Sequence, residues 1–120
     1  MESIMVVDDD DSIRCLYEQV LTDEGYEVVL AGSGLEAVKI FKKEKPDIVI
    51  LDIRMPGMDG IELLGKVLDM DRKIPVIINS AYSMYKNNFL TWMADAYIIK
   101  SSDLTELKVK IRELLDTRKK

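Results

Sequence analysis

Short hydrophobic runs recur along the chain, separated by longer segments of mixed polarity. The runs are rich in valine and isoleucine, and most of them are continuous rather than alternating with polar residues. A continuous run of this kind is typical of a strand that is buried on both faces of a parallel sheet. The predicted strands span residues 4–8, 27–31, 48–52, 75–79 and 96–100.

Helical patterns follow each run. The first helix has an apolar stripe at helical spacing, which consists of Ile13, Leu16, Tyr17, Val20 and Leu21. Gly25 is well placed to end this helix, because glycine adopts a left-handed conformation at low cost. Asp10 and Asp11 are expected to cap its start.

Three later helices begin with capping boxes, and one helical pattern is less regular. The boxes are Ser33–Glu36, Asp59–Glu62 and Asp103–Glu106, and each can satisfy two N–H groups at a helix start. The irregular fourth helix is predicted at residues 83–93. The segment 55–60 before the third helix is interpreted as a turn whose glycines permit positive φ.

This alternation predicts an α/β fold. We expect one domain over residues 1–120, with (βα)₅ flavodoxin-like, doubly wound sandwich architecture and right-handed crossovers. The five-stranded parallel sheet should have the order 2-1-3-4-5, which puts the topological switch point between the first and third strands.

Polar residues with useful chemistry end four of the five runs. The first run ends in Asp8 and Asp9, the third in Asp52, the fourth in Ser80 and the fifth in Lys100. Because the carboxyl ends of parallel strands share one edge of a sheet, these groups should converge where open α/β sheets bind ligands. Crowded carboxylates repel one another unless a cation joins them, and oxygen ligands without thiolate or imidazole favour Mg²⁺.

The net charge and the short apolar runs argue against nucleic acid and membranes as partners. The formal net charge is −5, and four consecutive aspartates, Asp8–Asp11, contribute to it. Direct binding of nucleic acid is not expected, because there is no basic patch to release counterions. No apolar run approaches the roughly 20 residues of a membrane span, and no signal-peptide pattern opens the chain. We therefore expect a cytoplasmic protein without membrane association.

The scarcity of two residue types limits the chemistry. Histidine is absent, which excludes an imidazole base, a Ser-His-Asp triad and a phosphohistidine within these residues. Cys15 is the only cysteine, so an internal disulfide cannot form and a cysteine-based metal site is not expected. We interpret Cys15 as a small apolar residue near the core.

Taken in order, the motifs resemble the receiver domain of two-component response regulators, the CheY-like superfamily. The matching segments are residues 6–10 (VVDDD), 47–60 (DIVILDIRMPGMDG), 80–81 (SA) and 94–100 (ADAYIIK). The resemblance covers nearly the whole chain. No single motif is decisive, but their order and spacing are specific.

The resemblance implies a phosphoacceptor and a metal site at one edge of the sheet. Asp52 resembles the aspartate that becomes phosphorylated. Asp8 and Asp9 resemble the acidic pair that holds Mg²⁺, or Mn²⁺ as a substitute, together with Asp52 and the backbone carbonyl of Arg54. Attack by the aspartate would give an aspartyl phosphate, with catalysis mostly by positioning and charge neutralisation.

Further residues resemble the phosphoryl-binding and switch positions of the family. Ser80, followed by Ala81, resembles the hydroxyl residue that hydrogen-bonds the phosphoryl group. Lys100 resembles the lysine that pairs with that group, and Tyr97 resembles the aromatic switch residue.

The function implied is signalling rather than enzymatic turnover. A sensor histidine kinase or a histidine phosphotransfer protein would supply the phosphoryl group. The domain would catalyse only its own phosphorylation and slow autodephosphorylation. Phosphorylation would alter the face formed by the fourth predicted helix, fifth strand and fifth helix, which would control a downstream partner or output domain. The expected state is a monomer or a phosphorylation-dependent dimer.

The chain departs from the family pattern near that output face. Ser101 follows Lys100 where the family usually has a proline in a cis bond, and a trans bond is the cheaper default here. Met93 stands where a glycine is frequent, and Tyr82 replaces a small residue. Arg54 and Tyr82 are interpreted as modulating the phosphorylated form, since the Arg54 guanidinium could pair with phosphate and obstruct water.

Three alternatives stay open from the residues alone. A receiver-like interaction module that works without phosphorylation is compatible with the substitutions. A haloacid-dehalogenase-type phosphatase would use Asp8 as its nucleophile, because Asp8 and Asp10 fit its first-strand motif, although the short chain and Asp52 argue against it. A nucleotide-binding flavodoxin-like protein is disfavoured, because Gly32–Gly34 follows the second strand and is too short for a phosphate cradle.

Overall fold

The computed structural model describes residues 1–81 and 92–118, and its strands form one parallel sheet. The strands are β1 (Ser3–Val7), β2 (Glu27–Ala31), β3 (Ile48–Leu51), β4 (Val76–Ser80) and β5 (Ala96–Ile99). Their order is β2-β1-β3-β4-β5. This confirms the α/β prediction and the predicted order 2-1-3-4-5.

Helices cover both faces of the sheet. Those in the described residues are α1 (Asp11–Asp23), α2 (Gly34–Lys43), α3 (Gly60–Met70) and α4 (Thr105–Arg118). The helix α4 corresponds to the fifth predicted helix. The fourth predicted helix, residues 83–93, falls almost entirely outside the described residues. Within the two described ranges, no helix combines the length and the apolar character that a membrane crossing requires.

Two apolar clusters flank the sheet, because successive strand side chains point to opposite faces. In β1, Met5 and Val7 pack with α2 and α3, while Ile4 and Val6 pack with α1 and α4. Every residue of the central strands β3 and β4 is buried, whereas the edge strands β2 and β5 are partly exposed. Burial on both faces explains the continuous hydrophobic runs of the central strands.

The ends of α1 follow the sequence prediction. The Asp10 carboxylate accepts hydrogen bonds from the N–H groups of Ser12 and Ile13 at 2.8 and 3.3 Å. At the other end, Gly25 has a φ of 95° and its N–H donates to the Thr22 carbonyl. This left-handed glycine satisfies carbonyls of the last turn, as expected for a Schellman end.

The other helix starts agree with the predicted boxes in part. Ser33 and Asp59 each accept a hydrogen bond from the backbone N–H three residues later. The Glu36 carboxylate binds the N–H of Gly32 instead of the cap residue. Asp103 accepts from the N–H of Thr105, one residue earlier than a capping box requires.

Two predictions about α1 are wrong. Leu16 is 41% exposed, and Cys15 is exposed rather than close to the core. The buried side of α1 is formed by Ile13, Tyr17, Val20 and Leu21. At about 100° per residue, Leu16 points about 85° away from the mean direction of these four residues, and Cys15 lies on the opposite side of the helix. The buried stripe is therefore narrower than the sequence pattern suggested, and it is anchored by Tyr17 and Leu21.

The backbone is regular at the two described positions that depart from the family pattern. No peptide bond is cis in the described residues, so the bond between Lys100 and Ser101 is trans. No described residue other than glycine has a positive φ, so Met93 does not form a left-handed helix end.

Candidate functional site

Backbone hydrogen bonds between neighbouring strands hold the candidate residues at the carboxyl edge of the sheet. Asp8 follows β1, Asp52 follows β3 and Lys100 follows β5. The Asp52 N–H donates to the Val7 carbonyl at 3.0 Å, and the Lys100 N–H donates to the Ser80 carbonyl at 2.7 Å. The sheet register therefore brings together residues that lie far apart in the chain.

The Lys100 ammonium bridges two buried carboxylates. Its Nζ lies 2.7 Å from Asp8 Oδ2 and 2.9 Å from Asp52 Oδ2. The remaining oxygens accept backbone hydrogen bonds, Asp8 Oδ1 from the N–H of Asp10 and Asp52 Oδ1 from the N–H of Ile53. Each carboxylate is thus held at both oxygens, which fixes its orientation.

A third carboxylate completes the acidic cluster. Carboxylate oxygens of Asp8, Asp9 and Asp52 all lie within 4.8 Å of one another. Asp8 and Asp52 are only 3% and 7% exposed, whereas Asp9 is open to solvent. When ionised, the three carboxylates and the Lys100 ammonium together carry a net charge of −2. A divalent cation with a preference for oxygen ligands fits this set.

Burial and ion pairing have opposite effects on the pKa values of Asp8 and Lys100. Burial raises the pKa of the Asp8 carboxyl, although the hydrogen bond from Lys100 opposes that rise. Burial alone would lower the pKa of the Lys100 ammonium, but its bonds to Asp8 and Asp52 outweigh burial and raise it. The ammonium therefore stays charged, and a cation near Asp8 favours the ionised carboxylate.

Gly60 packs directly against the backbone of the Asp52 segment. Its N–H donates to the Ile53 carbonyl at 2.8 Å, and a Cβ at this position would lie 2.1 Å from the Asp52 carbonyl oxygen. The sequence interpretation gave the glycines of this turn a conformational role. That role holds for Gly57, whose φ is 78°, whereas Gly60 is required for space.

Sequence reasoning missed a buried polar pair near the site. Asn79 precedes Ser80 in β4, and its side-chain amide donates to the hydroxyl of Tyr17 in α1. Both residues are at least 97% buried. Burial raises the pKa of the Tyr17 phenol. The signal available in the sequence was an amide at the end of an otherwise apolar strand.

The other predicted site residues differ in how far they are buried. Ser80 is fully buried at the end of β4. Tyr97 is half-buried in β5 and packs against the apolar cluster on the face of the sheet that α2 and α3 cover. Ala81 and Arg54 are exposed. Tyr82 lies outside the described residues.

The sequence of the chain matches a known protein family. The response regulator receiver domain family matches residues 4–112. The chain belongs to this family. The family assignment predicted from the motifs is thereby confirmed, and it does not favour the phosphatase or nucleotide-binding alternatives.

Relatives and solved structures agree with the assignment. The chain is 48% identical over 81 residues to sporulation initiation phosphotransferase F of Bacillus subtilis. The aligned region covers 68% of this chain and 65% of that protein. It is 42% identical to Thermotoga maritima response regulator TrrA in complex with Mg²⁺-BeF, with a TM-score of 0.92 and coverage of 95% of this chain and 99% of that one. TrrA in complex with the histidine kinase ThkA gives 43% identity, a TM-score of 0.90 and coverage of 96% and 99%.

The receiver domain is shorter than several of its relatives. It spans about half the length of the curated relatives it matches from Porphyridium aerugineum and Porphyra purpurea, each named a probable transcriptional regulator.

Proposed function

We propose that this receiver domain accepts a phosphoryl group on Asp52 in a Mg²⁺-dependent reaction. The observation that carries the proposal is the convergence of three carboxylates and one ammonium at a single strand edge. Asp52 directly follows β3, one of the two strands at the switch point, and Lys100 contacts its Oδ2. Since residues 1–120 contain no histidine, a phosphohistidine donor must lie outside them.

Asp8, Asp9, Asp52 and the backbone carbonyl of Arg54 would hold the metal ion, with Mn²⁺ as a substitute for Mg²⁺. The oxygen-only ligands and the net charge of the cluster support this choice. When bound, the ion neutralises charge that develops on the phosphoryl oxygens. TrrA, the Thermotoga relative, binds Mg²⁺-BeF, which agrees with a metal-dependent receiver.

Asp52 is the nucleophile of the proposed reaction. One of its carboxylate oxygens forms a bond to phosphorus while the bond from phosphorus to the donor imidazole nitrogen breaks. The Ile53 N–H orients the carboxylate, the Lys100 ammonium neutralises a phosphoryl oxygen, and the Ser80 hydroxyl donates a hydrogen bond. Water later attacks the aspartyl phosphate, so the domain acts as a transient switch and catalyses only its own modification.

The proposed consequence of phosphorylation is a population shift. Ser80 is drawn toward the phosphoryl group, and Tyr97 moves into the space that this movement leaves. The face formed by residues 83–93, β5 and α4 then changes its affinity for a partner. Backbone NMR spectra of residues 83–118 should therefore change on phosphorylation, and identical spectra would reject this switch.

Arg54 is proposed to prolong the phosphorylated state. Its exposed side chain follows the acceptor by two residues, and a guanidinium beside a phosphoryl group can pair with its oxygens and obstruct water. The half-life of the phosphorylated form should therefore fall in Arg54→Ala. An unchanged or longer half-life contradicts this role. Tyr82 is proposed as a second modulating position from the sequence alone.

The proposed donor is a sensor histidine kinase or a histidine phosphotransfer protein. A solved complex of TrrA with the kinase ThkA supports the first, at 43% identity to this chain. The transcriptional regulatory proteins among its relatives support a downstream partner or output domain that the receiver controls. The net charge of −5 argues against direct contact of this domain with nucleic acid. We propose a monomer that dimerises, if at all, on phosphorylation.

Intact mass measurement with a small acyl-phosphate donor tests the acceptor directly. Wild type should gain one phosphoryl group in the presence of Mg²⁺, and chelation of Mg²⁺ should prevent the gain. Asp52→Asn should gain none, whereas Asp47→Asn, a matched change at the other edge of the sheet, should behave as wild type.

Two outcomes would overturn the assignment. Absence of the mass gain in folded wild type would favour an interaction module that works without phosphorylation. A gain that survives Asp52→Asn but is lost in Asp8→Asn would indicate the phosphatase-like nucleophile instead.

A further inference from the structure

The Arg14 side chain ties α1 to the loop that carries the metal-binding carboxylates. Its Nη1 donates to the backbone carbonyl of Asp8 at 2.5 Å, and its Nη2 forms an ion pair with Asp11. The side chain is only 19% exposed. The carbonyl of Asp8 belongs to the peptide that links Asp8 to Asp9, so the guanidinium restrains rotation of the peptide leading into the third carboxylate.

Gly32 provides the space that the guanidinium occupies. A Cβ at Gly32 would lie 3.0 Å from Nη1 and 3.4 Å from Cζ of Arg14. Positive φ does not explain this glycine, because only Gly25 and Gly57 have positive φ among the described residues. The Gly32 N–H is also bound by the Glu36 carboxylate at 2.5 Å, which holds the loop beside Arg14.

We propose that Arg14 is a positioning residue for the Mg²⁺ site. Its guanidinium, seated against Gly32, holds the peptide between Asp8 and Asp9 in the orientation that brings both carboxylates close to Asp52. This inference rests on the proposed Mg²⁺-dependent function, and it adds a residue outside the ligand set.

Removal of Arg14 has two physical effects of opposite sign on Mg²⁺ affinity. A positive charge repels a nearby dication, so loss of the charge alone would strengthen Mg²⁺ binding. Loss of the bond to the Asp8 carbonyl frees the peptide and weakens binding. Partners that orient metal ligands are typically worth about 10- to 100-fold in metal affinity. The direction of the change therefore separates positioning from electrostatics.

Calorimetric titration with Mg²⁺ alone tests the proposal without phosphorylation. Arg14→Gln should weaken binding about 10-fold. Gly32→Ala keeps every charge but shifts the guanidinium by a few tenths of an ångström, so it should weaken binding by a smaller factor. Arg72→Gln, the same change at an exposed arginine near the opposite edge of the sheet, should leave the affinity unchanged. Unchanged or tighter binding by Arg14→Gln overturns the proposal.

A metal-free measurement distinguishes failure of this inference from failure of the proposed function. The Asp10 N–H donates to Asp8 Oδ1 at 3.0 Å, so its hydrogen exchange reports the order of the loop. Exchange, normalised to the global stability of each variant, should be faster in Arg14→Gln and Gly32→Ala than in wild type. Equal rates overturn the positioning role. If wild type binds no Mg²⁺ while exchange is faster in both variants, the proposed function fails and Arg14 still positions the loop.

Discussion

Aspartates occupy both edges of the sheet, but their surroundings differ. At the amino edge, Asp47 and Asp95 each accept a hydrogen bond from the backbone N–H of a neighbouring strand. The Ser3 N–H donates to Asp47 Oδ2 at 2.7 Å, and the Val76 N–H donates to Asp95 Oδ2 at 2.8 Å. These aspartates tie the start of one strand to the segment that precedes its neighbour.

At the carboxyl edge, carboxylates instead face one another. Asp8 and Asp52 share the Lys100 ammonium, and Asp9 completes a cluster with an excess of negative charge. The same residue type therefore links neighbouring strands at one edge and forms a cluster that fits a divalent cation at the other. The difference lies in the neighbours that the sheet topology supplies.

The largest effect should come from the tight packing beneath the acceptor. In Gly60→Ala, the new Cβ would overlap the carbonyl oxygen of Asp52, a backbone atom that cannot rotate away. We expect a loss of about 3 kcal/mol or more in the free energy of unfolding, by overpacking and backbone displacement. Chemical denaturation measures the change.

Gly65 provides the matched control in the same helix. A Cβ at Gly65 would meet no neighbouring atom within 4 Å, so Gly65→Ala should stabilise the protein by up to about 1 kcal/mol through helix propensity. Equal effects of the two substitutions would show that the carboxyl edge has no special packing demand at Gly60.

A smaller effect tests whether polar groups near the carboxyl edge also have structural partners. Tyr17→Phe removes the hydroxyl that accepts from Asn79, and it should cost about 1–3 kcal/mol because a buried amide loses its partner. Adding Asn79→Leu should restore part of the loss, since both polar groups are then gone. A double-mutant cycle by denaturation measures the coupling, and additive effects would contradict it.

The stabilisation by Mg²⁺ should be smaller than the effect of Gly60→Ala. An ion that binds only the folded state at ten times its dissociation constant should add about 1.4 kcal/mol to the free energy of unfolding. Asp9→Asn should lose most of this increment, because it removes one of the three clustered carboxylates. Thermal unfolding with and without Mg²⁺ measures it.

Asp95→Asn makes the same change at the amino edge. It should lower stability by about 1 kcal/mol without altering the Mg²⁺ increment, because the Asp95 carboxylate accepts its hydrogen bond from the Val76 N–H at the opposite edge from the acidic cluster. Loss of the increment in this variant, or its persistence in Asp9→Asn, would remove the distinction between the two edges.

Periodicity anticipated the fold well because the controlling signals are local. Continuous runs predicted the buried strands, and their alternation with helices predicted a parallel α/β sheet. The structure also confirms the order 2-1-3-4-5, which was expected from flavodoxin-like folds. The helix stripe misplaced Leu16, because a pattern of apolar residues does not reveal how wide the buried face is. The site roles of Asp8, Asp9, Asp52 and Lys100 stay predictions, although the structure brings all four together.

The sequence by itself determined which residues stand at the strand ends, since strand length and polarity are properties of neighbouring positions. Only the tertiary structure decided that Lys100 bridges Asp8 and Asp52, that Gly60 has no room for a side chain, and that Arg14 reaches the Asp8 carbonyl over Gly32. These contacts depend on differences of a few tenths of an ångström in the distances between segments that the tertiary fold brings together. Hydrophobic patterning specifies which faces meet, whereas such distances arise only when the whole core is packed.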